Sequence, residues 1–374
     1  MGKGADGTDE SIGNAKARAA PRRRGAVGLR SVLSPVDDRQ ECGVTLGNGR
    51  LHSRRKRTAT GRATLGSAIC SSEFLAIKGE RVRTRRGGVP AWVPALTLCL
   101  VQAGYPAEEA VGQSAPRLPL AKSAIHRVNG ADLYVETLGS GPPLVLLHGF
   151  FGCGATWAPH VAQLAERFQL IVPDLRGHGR SSFPDKQYSH RQTGRDLLAL
   201  LDRMGLTRVQ ALGISSGGMT LLHAAVSQPN LFESLVLIGA TTHFHDEARA
   251  IMAQTTSLDA IPPDVVAELR ACVARGEPQM LDLVRTFHGF KDSRDDMNLG
   301  EQDLRRITAR TLVVHGDRDP FFPVRIPAAT YAGLTKGQLW IVPNGDHVPI
   351  FGPHAESFQS EVLRFLVRAT PLPF

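Results

Sequence analysis

From residue 122 onward the chain alternates short apolar runs with longer stretches of helical spacing. Leu133-Tyr-Val-Glu136 alternates in the manner of an edge strand. Leu144-Val-Leu-Leu147 is a continuous apolar run bounded by Pro143 and Gly149, as a strand covered on both faces requires. Trp157 to Phe168 carries Val161, Leu164 and Phe168 at helical spacing, Leu170-Ile-Val172 reads as a strand, and His190 to Met204 reads as a helix with Leu197, Leu200 and Leu201 on one face. Val209-Gln-Ala-Leu212 and Leu235-Val-Leu-Ile238 are further strands, with a helix-like stretch from Gly218 to Ala225 between them. This alternation predicts an α/β fold with a mostly parallel, doubly wound sheet, whose sites lie at the carboxyl ends of the strands.

Residues 241–303 interrupt the alternation. Asp264-Val-Val-Ala-Glu-Leu-Arg270 and Gln279-Met-Leu-Asp-Leu-Val284 are helical in pattern and no strand pattern lies among them, so a helical cap over the site is expected. Alternation resumes with Thr311-Leu-Val-Val314, a helix through Tyr331, Gln338-Leu-Trp-Ile-Val342 and a closing helix from Pro353 to Val367. The folded domain is expected over 122–374, with the cap at 241–303.

Charge sets the first third apart. Of the 44 Lys and Arg and 35 Asp and Glu in 374 residues, residues 1–120 hold 20 and 10, so the net +9 of the chain lies there and the remainder is close to neutral at −1. The runs Arg22-Arg-Arg24 and Arg54-Arg-Lys-Arg57 have no interleaved aromatic residues and belong to no nucleic-acid motif. A solvated, disordered basic extension is expected over 1–80, which a downstream start would leave untranslated, and no nucleic-acid partner is expected.

Over 81–121 a signal-like segment and linker follow. Arg83-Thr-Arg-Arg86 precedes the apolar stretch Val89 to Val101, which ends in Val101-Gln-Ala103. These have the basic, apolar and small-residue regions of a secretory signal, and Arg85-Arg86 hints at a twin-arginine export route. The apolar run is broken by Pro94 and too short for a stable membrane span. Export is expected if translation begins near residue 80, and a cytoplasmic location otherwise. Of five cysteines only Cys153 and Cys272 fall in the folded part, neither in a C-x-x-C pair, and both are expected as small buried hydrophobes.

The segment most charged with chemistry is Gly213-Ile-Ser-Ser-Gly217, set between a strand and a helix. A serine on such a sharp turn needs small neighbours two residues to either side, and the following helix aims its free N–H groups at the place where an oxyanion would form. Ser215 is the candidate nucleophile and the Ser216 N–H a candidate oxyanion donor. A serine hydroxyl needs a base, and the base needs an acceptor to hold its ring. His315-Gly-Asp-Arg-Asp319 follows one strand and offers Asp317 and Asp319, while Asn344-Gly-Asp-His347 follows the next and offers His347.

These motifs together resemble the α/β-hydrolase fold family, in particular its small esterase and lactonase-like members with a helical cap, from about Leu133 to Phe365. The chain order Ser215, Asp319, His347 is that of the family's triad, and the family pattern favours Asp319 over Asp317 as the acid. His148-Gly-Phe150 resembles its oxyanion loop, which implies the Phe150 N–H as the second oxyanion donor. Asp174-Leu-Arg-Gly-His-Gly-Arg-Ser181 resembles a turn that is structural in the family, so His148 and His178 are expected as hydrogen-bonded scaffold. Family members more often carry glycine before the histidine, where Asp346 stands here; a carboxylate beside the ring would favour imidazolium.

The resemblance implies a serine hydrolase that cleaves carboxylic esters of small or medium acyl substrates through an acyl-enzyme. Acyl transfer, cofactor-free perhydrolysis and carbon-carbon bond hydrolysis on the same triad are the alternatives, with a non-catalytic ligand receptor as a further one. No cofactor is expected, because Ser182 stands where a dinucleotide motif beginning at Gly177 needs its third glycine. No metal is expected, because His243-Phe-His245-Asp246 is short of ligands. Phe150, Phe151, Trp157, Met219 and Phe321 are candidates to line an acyl pocket or to fill the core.

Overall fold

The computed structural model describes residues 116–367. The basic extension over 1–80 and the signal-like segment lie outside the described residues, and only the end of the linker, 116–121, falls within them. Eight strands form one sheet in the order β1-β2-β4-β3-β5-β6-β7-β8. They are β1 (Lys122–Val128), β2 (Ala131–Leu138), β3 (Pro143–Leu147), β4 (Gln169–Pro173), β5 (Val209–Ile214), β6 (Phe232–Ile238), β7 (Arg310–Gly316) and β8 (Gly337–Val342). β2 runs antiparallel to β1 and β4, and every other pairing is parallel.

The apolar runs explain why the sheet is covered on both sides. Along β3, Leu144 and Leu146 join one core cluster with Trp157, Val161, Phe358 and Phe365, while Val145 and Leu147 join another with Leu200, Leu221 and Leu235. Successive strand residues point to opposite faces, so a strand apolar at every position serves both layers. The first layer is α1 (Ala158–Ala165) and α9 (Ala355–Val367); the second contains α2 (His190–Arg203), α3 (Ser216–Ser227) and α8 (Arg325–Gly333).

One strand assignment needs correction. The alternating segment Leu133–Glu136 is not at the edge, because β1 covers β2. β1 escapes a pattern search because most of its residues are exposed and its alternation is lost. The end of the linker is also part of the fold, since Leu118 is buried and its N–H donates to Glu136 Oε2 at 3.0 Å.

Between β6 and β7 the chain forms α4 (Asp246–Gln254), a short 3-10 turn, α5 (Pro263–Cys272), α6 (Glu277–Gly289) and α7 (Glu301–Arg305). An isolated bridge between His243 and Asn298 ties the start of this stretch to its end. Among the described residues no helix is long and apolar enough to cross a membrane.

Cys153 and Cys272 are not separate buried thiols. The fold brings their Cα atoms to 5.5 Å across a sequence separation of 119, and they form a disulfide. Spacing could not announce this, because it is the sheet and the insertion together that bring the two residues into register. The bond ties the loop after β3 to the end of α5. Closing so long a loop restricts the unfolded chain, so reduction, or Cys272→Ser, should lower stability by roughly 2–5 kcal/mol. Urea unfolding with and without a thiol reductant measures this, and coincident curves would show that the bond contributes nothing.

Candidate active site

The turn at Ser215 is forced by crowding. Its main chain has φ 47° and ψ −112°, outside the ordinary regions for a residue with a side chain. A Cβ on Gly213 would stand 2.5 Å from the Gly217 carbonyl carbon, and one on Gly217 would stand 2.5 Å from the Leu147 carbonyl oxygen. Only glycine fits either place, which is the steric demand the sequence pattern expresses. The Ser215 N–H donates to the Ile238 carbonyl at 2.7 Å and the Met219 N–H to the Ser215 carbonyl at 2.9 Å, so the turn is fastened to β6 and to the first turn of α3.

Ser215, His347 and Asp319 lie in line. The Ser215 Oγ is 3.0 Å from His347 Nε2, and His347 Nδ1 is 2.8 Å from Asp319 Oδ2. A carboxylate can only accept, so the Nδ1–H donates to Asp319 and Nε2 of the neutral ring is left to accept the serine hydroxyl. Asp319 Oδ1 accepts the N–H groups of Phe321 at 2.7 Å and Phe322 at 3.1 Å. Asp317, the other aspartate of that loop, is exposed.

His315, which the sequence reading passed over, is buried behind Asp319, with Nε2 2.6 Å from the Phe322 carbonyl and 3.1 Å from Asp319 Oδ2. Burial alone would raise the Asp319 carboxyl. The facing His347 ring, then the hydrogen bonds from His315 and His347, outweigh it and hold the group well below its ordinary 3.8.

Asp346 does not hold the His347 ring; its Oδ1 accepts the Val348 N–H at 3.0 Å, and burial raises its carboxyl. His148 and His178 are scaffold in their contacts. The His148 Nδ1–H donates to the Gly149 carbonyl at 2.7 Å, and Nε2 accepts the Leu175 N–H at 2.9 Å. Burial lowers this ring to about 4, so it stays neutral and keeps both bonds. The His178 Nδ1–H donates to the Arg176 carbonyl at 3.0 Å.

Asp174 accepts the N–H groups of Gly154 at 2.7 Å and Arg180 at 2.8 Å, so the turn 174–181 supports the loop that follows Phe150. The His243 and His245 rings lie with centroids 3.8 Å apart and planes tilted by 44°, and among the described residues no group of three or more His, Cys, Asp or Glu side chains is arranged to hold a metal.

A cavity opens over Ser215 and His347, lined by Phe150, Ser216, Met219 and Phe321 from the sheet side and by Phe244, Phe287 and Phe290 from the insertion. Phe151 lines it too. Trp157 does not: it is fully buried in the core on the other face of the sheet. Ser216 is the first residue of α3, so its N–H and that of Phe150 belong to segments that border the cavity beside Ser215.

The depressed carboxyl has a consequence for acid stability. A group whose folded value lies below its unfolded one contributes stability that is present above the unfolded value and is lost as pH falls through the folded value. Asp319 contributes in this way at neutral pH, and the contribution declines as pH drops below about 3.8. Urea midpoints taken from pH 6 down to pH 2 should fall less steeply for Asp319→Asn, from a lower start, than for the native chain; parallel slopes would contradict this.

A family model described as alpha/beta hydrolase fold matches residues 142–260. The human protein "Serine hydrolase BPHL" is 30% identical over 237 residues, covering 60% of this chain and 80% of its own length. The "Pimeloyl-[acyl-carrier protein] methyl ester esterase" of Chromobacterium violaceum is 30% identical over 247 residues, covering 61% and 95%. Among solved structures, the enol-lactonase from Burkholderia xenovorans LB400 superposes with a TM-score of 0.56 at 20% identity, covering 66% of this chain and all (100%) of the other.

Proposed function

This chain belongs to the α/β-hydrolase fold family, and from that premise we propose that it is a serine hydrolase that cleaves carboxylic esters of small or medium acyl groups through an acyl-enzyme on Ser215, His347 and Asp319. The ester-acting class follows from its relatives, which are named serine hydrolase and methyl ester esterase. The observation that carries the mechanism is the unbroken line from Ser215 Oγ to His347 Nε2 at 3.0 Å and from His347 Nδ1 to Asp319 at 2.8 Å, at the floor of an apolar cavity.

In this reading His347 Nε2 takes the Ser215 proton as Oγ attacks the acyl carbon. The N–H groups of Phe150 and Ser216 receive the oxyanion. His347 then delivers its proton to the departing alcohol and takes one from an entering water; the hydroxide so formed adds to the acyl carbon, the bond to Ser215 Oγ breaks, and His347 returns its proton to Oγ as the carboxylic acid leaves. Asp319 holds the ring and stabilises the imidazolium at each stage; its four donors, two of them backbone N–H groups, keep it ionised for that task.

The phenylalanines of the cavity set the acyl preference. They offer apolar surface and few polar groups, so an acyl chain gains by burial, at most about 0.8 kcal/mol for each methylene. On a series of p-nitrophenyl esters, kcat/KM should climb by up to about fourfold per methylene until the cavity is filled. A flat series would overturn the acyl-pocket reading.

Ser215→Ala should abolish both turnover and labelling by an active-site phosphonate, and His347→Ala should lower kcat by at least about 10³-fold. Undiminished labelling of the Ser215→Ala protein would refute the assignment of the nucleophile. Adding an alcohol or peroxide to the ester assay separates hydrolysis from acyl transfer and perhydrolysis, and water is the expected acceptor.

A further inference from the structure

A second serine, histidine and aspartate lie in line directly behind Ser215. His190 opens α2, Ser216 opens α3, and Asp296 comes from the segment between α6 and α7. His190 Nε2 is 3.0 Å from Ser216 Oγ, and Nδ1 is 2.7 Å from Asp296 Oδ2, across 106 positions of sequence. Asp296 also accepts the backbone N–H groups of His190 at 2.9 Å and Arg191 at 3.0 Å. All three residues are buried, the histidine completely.

The chemistry of the array is fixed by its acceptor. Asp296 takes the Nδ1–H, which leaves Nε2 facing the Ser216 hydroxyl, and that hydrogen bond selects one orientation of the Ser216 side chain. Burial alone would raise the Asp296 carboxyl. The His190 ring and the two backbone donors reverse this and bring it down to about 2, so the anchor is a carboxylate at neutral pH. Ser216 is only 4% exposed, so burial, and not its contact with His190, sets its hydroxyl apart from that of Ser215.

Resting on the reading of Ser215 as the nucleophile, we propose that His190 and Asp296 are positioning residues for the oxyanion donor at Ser216. Asp296 belongs to the insertion side of the site and Ser216 to the turn beside the nucleophile. The array therefore couples the segment that closes the insertion to the placement of one backbone N–H. An oxyanion donor acts only if it is aimed where the charge develops, so a small release of Ser216 is felt in the tetrahedral intermediate rather than in substrate binding.

The test is kinetic, on the full chain with a p-nitrophenyl ester and a trifluoromethyl ketone that forms a tetrahedral adduct with the serine. Ser216→Ala and Asp296→Asn should each lower kcat by about 10- to 100-fold with KM within about twofold, and should weaken the ketone by a similar factor. The double variant should be no slower than Ser216→Ala alone, because both changes cut one chain of contacts. Circular dichroism establishes that each variant is folded, and Ser216→Ala decides alone if Asp296→Asn is not.

A kcat for Ser216→Ala within twofold of the native value would overturn the inference, as would additive losses in the double variant or losses confined to KM. Absence of phosphonate labelling in the native protein would instead overturn the nucleophile assignment, and this inference with it.

Discussion

Strand β5 and helix α3 meet too closely for any turn but a strained one, and the placement of every other group at the site depends on that. The strain at a residue with φ 47° and ψ −112° is on the order of 1–3 kcal/mol. It persists because both flanking elements are buried almost throughout, because Gly213 and Gly217 let the backbones touch, and because the Ser215 N–H is fixed to β6. Relaxing the turn would pull a fully buried strand and an almost fully buried helix out of register. The side chain at the apex is thus presented to the cavity, at the point where β3 has neighbours on either side that leave in opposite directions across the sheet.

Parallel pairing supplies the partners. β7 and β8 run in the same direction, with His315 opposite Ile341 and Gly316 opposite Val342, so the loops that carry Asp319 and His347 leave from the same edge. They are then laced together: the Asp317 N–H donates to the Val342 carbonyl at 3.2 Å and the Arg318 N–H to the Gly345 carbonyl at 2.9 Å. The aspartate and the histidine that meet at 2.8 Å are held by their backbones before their side chains touch. An antiparallel β8 would have sent the histidine to the opposite end of the sheet.

What the sequence disclosed follows the range of the interactions. Strands apolar on every residue, a serine flanked by glycines and a loop such as Asp174–Ser181 are local patterns, and each can be read in a window of a few residues. β1 is equally local yet invisible, because an exposed edge strand has no burial to impose alternation. The pairing of Cys153 with Cys272 and the line from Ser216 to Asp296 have no local signature. Each joins residues whose types are unremarkable where they stand, brought together by the register of the sheet or by the return of the insertion. The same holds for Trp157: the sequence leaves it between an acyl pocket and the core, and only the sheet says on which face it lies.

The insertion is fixed to the site at several independent points, and this bears on how a substrate is chosen. The disulfide from Cys153 fastens α5 to the loop after Phe150. Gln279 Nε2 donates to the Gly177 carbonyl at 2.9 Å and the Gly179 carbonyl at 3.0 Å, and Arg275 donates to the Ser181 carbonyl at 2.7 Å, so α6 and the segment before it rest on the turn 174–181. Arg249 donates to the Phe290, Lys291 and Ser293 carbonyls and thereby fixes α4 against the end of α6, where Phe290 faces the cavity. A wall built this way pays its ordering entropy at folding rather than at binding. In the proposed reading, selection then rests on the shape of a preformed apolar cavity. Replacing a phenylalanine on the insertion redraws that shape without disturbing Ser215, Asp319 and His347 beneath it, because those are held by the sheet.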